Sequence, residues 1–108
     1  MYTQLSMIHL VHFYLKEEFK NAETRAGFEE ALAKVCEIPI ATRSNWGVPA
    51  SVAERPVVDS SWDYNLVSYF DSVKDHDAYQ EHDVHVAFIN DNKHLWEKVL
   101  VIDSDLKG

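Results

Sequence analysis

The amino-acid sequence predicts an α+β domain whose elements follow the order β-α-β-β-α-β. Three observations carry this prediction. An alternating apolar segment runs from Ser6 to Lys16, a helical apolar stripe lies between Asn21 and Val35, and a helix-start signal at Ser72 opens a second helical region flanked by extended segments. With 108 residues the chain has the size of one domain, so positions 1–108 are interpreted as a single unit with a core at 7–105.

Charge and composition narrow the classes of partner. The chain has 18 acidic and 10 basic residues and a net charge of −8. We therefore expect no nucleic acid and no membrane as partner, because phosphate groups would be repelled. No apolar run approaches the roughly 20 residues of a membrane helix. The single Cys36 cannot form an internal disulfide, which is compatible with the cytoplasmic location that we expect.

The first strand is predicted from Ser6 to Lys16, after a loose tail from Met1 to Leu5. One of its faces carries Met7, His9, Val11, Phe13 and Leu15. The other face carries Ile8, Leu10, His12 and Tyr14. Because both faces are largely apolar, this strand is predicted to be central and covered on both sides.

A helix and a second strand are predicted to follow. The helix runs from Asn21 to Val35, and its buried stripe consists of Phe28, Leu32 and Val35. It ends before Pro39, since the residue before a proline is disfavoured in helical geometry. The second strand is predicted from Ile40 to Trp46. A long loop with two prolines then runs from Gly47 to Ser60.

The second half of the chain is predicted to hold a third strand, Ser61 to Phe70, and a fourth strand, Leu100 to Asp103. Between them a helix from Val73 to His82 begins at the N-cap residue Ser72. Another helix is predicted from Val84 to Glu97, and its buried residues are Val84, Phe88 and Leu95.

The face of the sheet that carries no helix needs a cover. It is predicted to present Ile8, Leu10, Tyr14, Val67 and Tyr69, which is too apolar a set to leave in water. We therefore expect a homodimer in which two sheets face each other, with the chain itself as its main partner.

Seven short segments stand out by their order and spacing. They are Met7–Val11, Ile38–Pro39, Asn45–Gly47, Trp62–Tyr64, Phe70–Ser72, Ala78–Phe88 and Val101–Asp103. Together they resemble the stress-responsive A/B barrel (Dabb) family over Met7 to Asp105. The resemblance implies a ferredoxin-like βαββαβ domain with a four-stranded antiparallel sheet, forming a dimeric α/β barrel.

The same resemblance implies candidate catalytic residues, because the family includes a plant polyketide cyclase that closes a ring by aldol condensation. His9, Tyr79 and His85 match its functional residues, and His85 matches the base. Tyr64 stands where the cyclase has a histidine, and Asp83 replaces the proline of the family's His-Pro-x-His pattern.

Tyr79 and His85 can act together only if the helix between them is broken. They are six residues apart, and at about 100° per residue they would diverge on a continuous helix. Asp83 is a suitable N-cap for a break near His82. A neutral His85 in the first turn of the new helix would remove a proton beside a carbonyl, and Tyr79 would donate to the oxyanion. His9 would orient or relay.

A pocket between the sheet and the helices is predicted to bind a small hydrophobic, carbonyl-bearing molecule. Its predicted lining is Tyr64, His82, Phe13, Phe28, Leu32, Leu66 and Phe88. No cofactor and no metal site are expected, because His82 and His85, at i and i+3, lack a third ligand.

Three functions remain open at this point. They are cyclase- or lyase-like enolisation, a non-catalytic stress-associated dimer or larger oligomer, and a cofactor-free monooxygenase-like barrel. An open cavity facing His9 and His85 would favour the first function. Space filled by Phe28, Leu66 and Phe88 would favour the second.

The candidate residues also have purely structural interpretations. Tyr79 is alternatively a core tyrosine, His85 a residue that hydrogen-bonds a loop carbonyl, and His9 a satisfied core histidine. His12 is expected at the dimer interface. His76 is expected in solvent on an exposed helix face.

Overall fold

The computed structural model describes residues 6–108. This part of the chain contains four strands and three α-helices. In chain order they are β1 (Met7–Leu15), α1 (Ala22–Val35), β2 (Arg43–Gly47), β3 (Tyr64–Phe70), α2 (Val73–Glu81), α3 (Asp83–Asn92) and β4 (Trp96–Asp105). Short 3-10 turns at Glu17–Phe19 and Lys93–Leu95 join neighbouring elements. The expectation of a loose tail at Met1 to Leu5 lies outside the described residues.

The strands form one antiparallel sheet in the order β2-β3-β1-β4, so β1 is central as predicted. The pairing register places His9 beside Ser68 on β3 and beside Asp103 on β4. Side chains at paired positions point to the same face of a sheet. The register therefore brings a histidine and a carboxylate together from opposite ends of the sequence.

The two faces of β1 follow the predicted alternation. The buried face carries Met7, His9, Val11, Phe13 and Leu15 and lies under the helices. The face without helices carries half-buried residues, including Ile8, Leu10, His12 and Tyr14. On β4, Leu100 and Ile102 extend this second face and are 38% and 45% exposed. One copy of the chain therefore leaves an apolar sheet surface partly uncovered.

Side-chain caps fix where the helices begin. The Asn21 side chain accepts the backbone N–H of Thr24 at 2.9 Å, and the Ser72 side chain accepts that of Asp75 at 3.1 Å. A capping interaction of this kind stabilises a helix by about 1 kcal/mol. Helix α1 buries the predicted stripe of Phe28, Leu32 and Val35.

The predicted helix break is present, but its cap is His82 instead of Asp83. His82 has an extended backbone, and its Nδ1 accepts the backbone N–H of Val84 at 3.1 Å. Asp83 is the first residue of α3. A neutral imidazole nitrogen is a hydrogen-bond acceptor, so histidine can fill the role expected of the carboxylate.

β2 and β3 start later than predicted, because a segment forms a strand only where a neighbouring strand pairs with it. β2 begins at Arg43 instead of Ile40, since turns and bends continue to Thr42 after α1. β3 begins at Tyr64 instead of Ser61, and its pairing with β2 reaches only to Asn65.

The end of the chain differs most from expectation. Helix α3 ends at Asn92 instead of Glu97, and β4 starts at Trp96 instead of Leu100 because it pairs along the whole of β1. The buried residues of α3 are His85 and Phe88, whereas Val84 is 39% exposed. Within residues 6–108, no helix combines the length and the apolar character needed to cross a membrane.

Candidate functional site

A cavity of about 370 Å³ lies between the sheet and the α2–α3 pair. Its apolar wall consists of Val11, Phe13, Leu66, Phe88, Ile89, Trp96, Val99 and Val101. Its polar wall consists of His9, His76, Gln80, His85 and Asp103. We call these five polar residues the histidine end of the layer between the sheet and the helices. Ligand pockets in proteins commonly combine a large apolar wall with a few polar groups in this way.

Next to this cavity, the same layer is filled by aromatic rings, which we call the aromatic end: Phe13, Phe28, Tyr64, Phe88 and Trp96. Phe13, Phe88 and Trp96 form its border with the cavity, because they also line the cavity wall. The Phe28 ring centroid lies 5.2 Å from that of Phe13, 5.3 Å from that of Tyr64 and 5.7 Å from that of Phe88. These separations are typical of packed aromatic pairs. The space expected for a ligand is therefore filled at one end and open at the other.

His9 is held by Asp103 across the β1–β4 pair. The His9 ring is buried, and its Nδ1 shares a hydrogen bond with Asp103 Oδ1. The Asp103 side chain is partly exposed, so this carboxylate connects a buried imidazole to the surface. A carboxylate on one ring nitrogen fixes the ring orientation and leaves the other nitrogen available.

The side-chain amide of Gln80 contacts two histidines. Its Nε2 lies 3.3 Å from Nε2 of His9 and 3.3 Å from Nε2 of His76. An amide NH₂ group only donates, so both imidazole Nε2 atoms accept. The Nδ1–H of His9 then donates to Asp103, and the Nδ1–H of His76 donates to Asp77 at 3.0 Å.

His85 lies in the first turn of α3 and is buried. Burial lowers the pKa of His85, although the nearby backbone carbonyl of Gln80 acts in the opposite direction. A lowered pKa favours the neutral form of this imidazole, and its cause is burial and not the helix dipole that the sequence argument used. Its Nδ1 has no hydrogen-bond partner among the residues that the structure describes.

Tyr79 packs against His85 but does not line the cavity. The two ring centroids are 4.7 Å apart, and the Tyr79 ring also contacts Phe70 at 5.0 Å. Burial raises the pKa of Tyr79 to about 12. Within residues 6–108 the Tyr79 hydroxyl completes no hydrogen bond. This arrangement does not support the predicted donation from Tyr79 into the pocket.

The predicted lining residues divide into two groups. Phe13, Leu66 and Phe88 are on the cavity wall, whereas Phe28 and Leu32 are fully buried core residues away from it. Two further residues are engaged elsewhere. His82 caps α3, and the Tyr64 hydroxyl donates to Glu29 Oε2 at 2.6 Å. Burial, reinforced by this carboxylate, raises the pKa of Tyr64.

Sequence reasoning missed three polar residues of the site: Asp103, His76 and Gln80. The expectation that His76 lies in solvent is wrong, because its side chain is 17% exposed and its ring centroid lies 4.8 Å from that of His9. The spacing of His76 and Gln80, at i and i+4 on α2, places them on one helix face and could have signalled the pair.

The chain also matches known proteins in sequence and structure. The sequence model of the Stress responsive A/B Barrel Domain family matches residues 7–106. Among curated proteins, no sequence match is found. A Dabb family protein with a ferredoxin-like fold from Mesorhizobium loti is 25% identical, with a TM-score of 0.75, over 97% of this chain and 100% of the other.

Two further solved structures share the fold at lower identity. A dimeric ferredoxin-like protein of unknown function from Thermobifida fusca is 17% identical, with a TM-score of 0.78, over 98% of this chain and 95% of the other. The hydroxynitrile lyase from Passiflora edulis is 18% identical, with a TM-score of 0.76, over 94% and 93%. At these identities the likeness shows the ferredoxin-like fold alone.

Proposed function

The chain belongs to the stress responsive A/B barrel domain family, and from this premise we propose that it binds a small, neutral carbonyl compound and transfers a proton on it. One observation carries the proposal. Three histidines, one of them held by the Asp103 carboxylate, lie on the wall of a mainly apolar cavity. Neutral imidazoles are the side chains best suited to proton transfer near pH 7.

The cavity determines the class of ligand. Its volume of about 370 Å³ suits a small molecule, and its wall is mainly aliphatic and aromatic. The net charge of −8 disfavours an anionic ligand. An aromatic or aliphatic ketone meets both conditions, because it combines an apolar body with one polar oxygen.

His9 is the better candidate for the base, which reverses the roles expected from sequence. Asp103 accepts the His9 Nδ1–H and would stabilise the imidazolium that forms when Nε2 takes a proton. His85 lacks such a carboxylate, and its burial favours the neutral ring. A neutral imidazole can polarise a carbonyl by hydrogen bonding. In this scheme Tyr79 holds the His85 ring in place.

A relative's name supports the choice of reaction class. A protein of the same fold is named a hydroxynitrile lyase, which fits a lyase-type interpretation better than a purely structural one. The filled aromatic end is the observation that favours the second candidate, a non-catalytic dimer.

Deuterium exchange tests the proposed reaction. Aryl methyl ketones are incubated in D₂O with the wild-type protein, His9→Gln and the control His94→Gln, whose histidine is exposed. We expect exchange of the methyl protons, a loss of about 100-fold or more in His9→Gln, and no change in the control. If no ketone binds to or exchanges with the wild-type protein, the enzymatic proposal fails and the non-catalytic dimer is favoured.

We also propose that the functional unit is a homodimer closed through the helix-free face of the sheet. Relatives of this fold are described as dimeric, and Leu100 and Ile102 leave this face apolar and partly exposed. Ile102→Glu should give monomers in analytical ultracentrifugation, because a charge would be buried at the interface. Val57→Glu, at an 81% exposed loop position, is the matched control. A dimeric Ile102→Glu protein would contradict this interface.

A further inference from the structure

We propose that His9, His76 and Asp103 form a binding site for a divalent transition-metal ion such as Zn²⁺. Each residue offers one ligand atom, and these atoms all lie within 4.8 Å of one another. The three residues come from β1, α2 and β4, so the fold and not a local motif brings them together. The proposal goes beyond the proton transfer described above, which needs no metal. Because an ion on His9 Nδ1 would leave the proton on Nε2, His9 could serve as the base only in the metal-free protein.

The distances require only small movements of the side chains. Asp103 Oδ1 is hydrogen-bonded to His9 Nδ1 and lies 4.0 Å from His76 Nε2. Zinc bonds to nitrogen and oxygen are about 2.0–2.2 Å long, which places tetrahedral ligand atoms roughly 3.3 Å apart. Asp103 is 43% exposed and therefore has room to turn, whereas the buried His9 is the fixed ligand.

Both histidines already have partners for the ring nitrogen that does not face the ion. His76 Nδ1–H donates to the Asp77 carboxylate at 3.0 Å, which leaves Nε2 for the metal. When an ion replaces the hydrogen between His9 and Asp103, the His9 proton moves to Nε2. The Gln80 amide, which now lies 3.3 Å from that atom, can turn over and accept it through its oxygen. Such outer partners orient the histidine ligands of metal sites.

The donor set determines the class of metal. Two imidazoles and one carboxylate suit Zn²⁺, Co²⁺ or Ni²⁺, whereas Mg²⁺ and Ca²⁺ prefer oxygen ligands. The net charge of −8 favours the approach of any cation. Because only three protein ligands are present, a fourth position remains for water on the cavity side.

Calorimetric titration with Zn²⁺, supported by the visible spectrum of Co²⁺, tests the site. We expect the wild-type protein to bind one ion per chain. His76→Gln and Asp103→Asn should bind at least about tenfold more weakly, whereas His94→Gln, which removes an exposed histidine, should bind as the wild type does. Circular dichroism shows whether each variant is folded. If His76→Gln is unfolded, the similarly shaped Asp103→Asn decides the question.

The melting temperature gives an independent readout. Zn²⁺ that binds only the folded state should raise the melting temperature of the wild-type protein and of His94→Gln, but not that of His76→Gln. The proposal is overturned if the wild-type protein binds no Zn²⁺, or if His76→Gln and Asp103→Asn bind it as tightly as the wild type. Neither measurement uses activity, so the result is separate from the test of ketone exchange.

Discussion

The aromatic end and the histidine end lie on the same side of the same sheet, yet they differ in packing and polarity. At the aromatic end, Phe28 is 1% exposed and is surrounded by rings. At the histidine end, polar side chains form a hydrogen-bond network around open space. The comparison shows that close packing of aromatic rings fills one end of the layer, whereas the other end keeps open space lined by polar side chains.

The difference arises at the edge of the sheet. Val11 and Phe13 on β1 are buried, whereas their register partners on β4, Val101 and Val99, are 49% and 39% exposed on the same face. The helices therefore cover the central strand and stop short of the edge strand. The cavity is the uncovered strip between them.

The largest expected effect comes from a substitution that disrupts the packing of the aromatic end. Phe28→Ala should lower the free energy of unfolding by about 3–5 kcal/mol, because it removes a buried ring and leaves a cavity. Denaturant unfolding at one fixed protein concentration measures this loss. Gln80→Ala at the histidine end is the matched control and should change stability by less than about 1 kcal/mol. Equal losses for the two variants would contradict the comparison.

A second change fills the histidine end without disturbing the core. Val101→Phe should weaken ketone binding about tenfold or more, equivalent to about 1.4 kcal/mol, because the larger ring occupies the cavity. Its melting temperature should stay close to that of the wild type, since residue 101 is half exposed. Val57→Phe in the exposed loop controls for added apolar surface. Unchanged ketone affinity in Val101→Phe would place the ligand elsewhere.

Two tyrosine variants compare a satisfied hydroxyl with an unsatisfied one. Tyr64→Phe should lower the free energy of unfolding by about 1 kcal/mol, since it removes the hydrogen bond to Glu29. Tyr79→Phe should leave stability unchanged or raise it by a few tenths of a kcal/mol, because its buried hydroxyl has no partner within residues 6–108. Thermal and denaturant unfolding measure both. A clear loss in Tyr79→Phe would reveal a partner for that hydroxyl.

The smallest effect is a dependence of stability on pH. Burial holds the pKa of His85 below its ordinary value of 6.5, so below pH 6.5 the unfolded chain binds a proton at this residue that the folded chain does not. Stability from this residue is therefore present above pH 6.5 and is lost as the pH falls. His12, whose pKa is also lowered by burial, acts in the same direction. Unfolding of His85→Gln between pH 7.5 and 5.5 should show a shallower slope, and a slope equal to that of the wild type would contradict this account.

Local patterns predicted the fold well wherever a residue's neighbours in sequence decide its state. The alternation of β1, the stripe of α1 and the break near His82 all follow from spacing and capping. The start of β4 did not, because Trp96 to Lys98 continue a helical pattern and become a strand only by pairing with β1. Pairing between strands that are so far apart in the sequence produces no local sequence pattern.

The candidate site was predicted only in part for the same reason. His9 and His85 lie on the cavity wall as expected, whereas the link from His9 to Asp103 depends on a register between residues 94 positions apart. The direction of the Tyr79 hydroxyl depends on packing against Phe70, which spacing alone does not determine. The catalytic roles themselves stay predictions.

The unpaired edge of β4 bears on how this protein could associate with other chains. Within residues 6–108, no strand pairs with this edge, although β4 is ten residues long. An unpaired edge strand can pair with an extended segment of another chain. Natural sheets discourage this with charged side chains, and β4 carries Glu97, Lys98 and Asp105. Since Val99 and Val101 on this strand also line the cavity, a strand from another chain that paired here would lie directly beside the cavity.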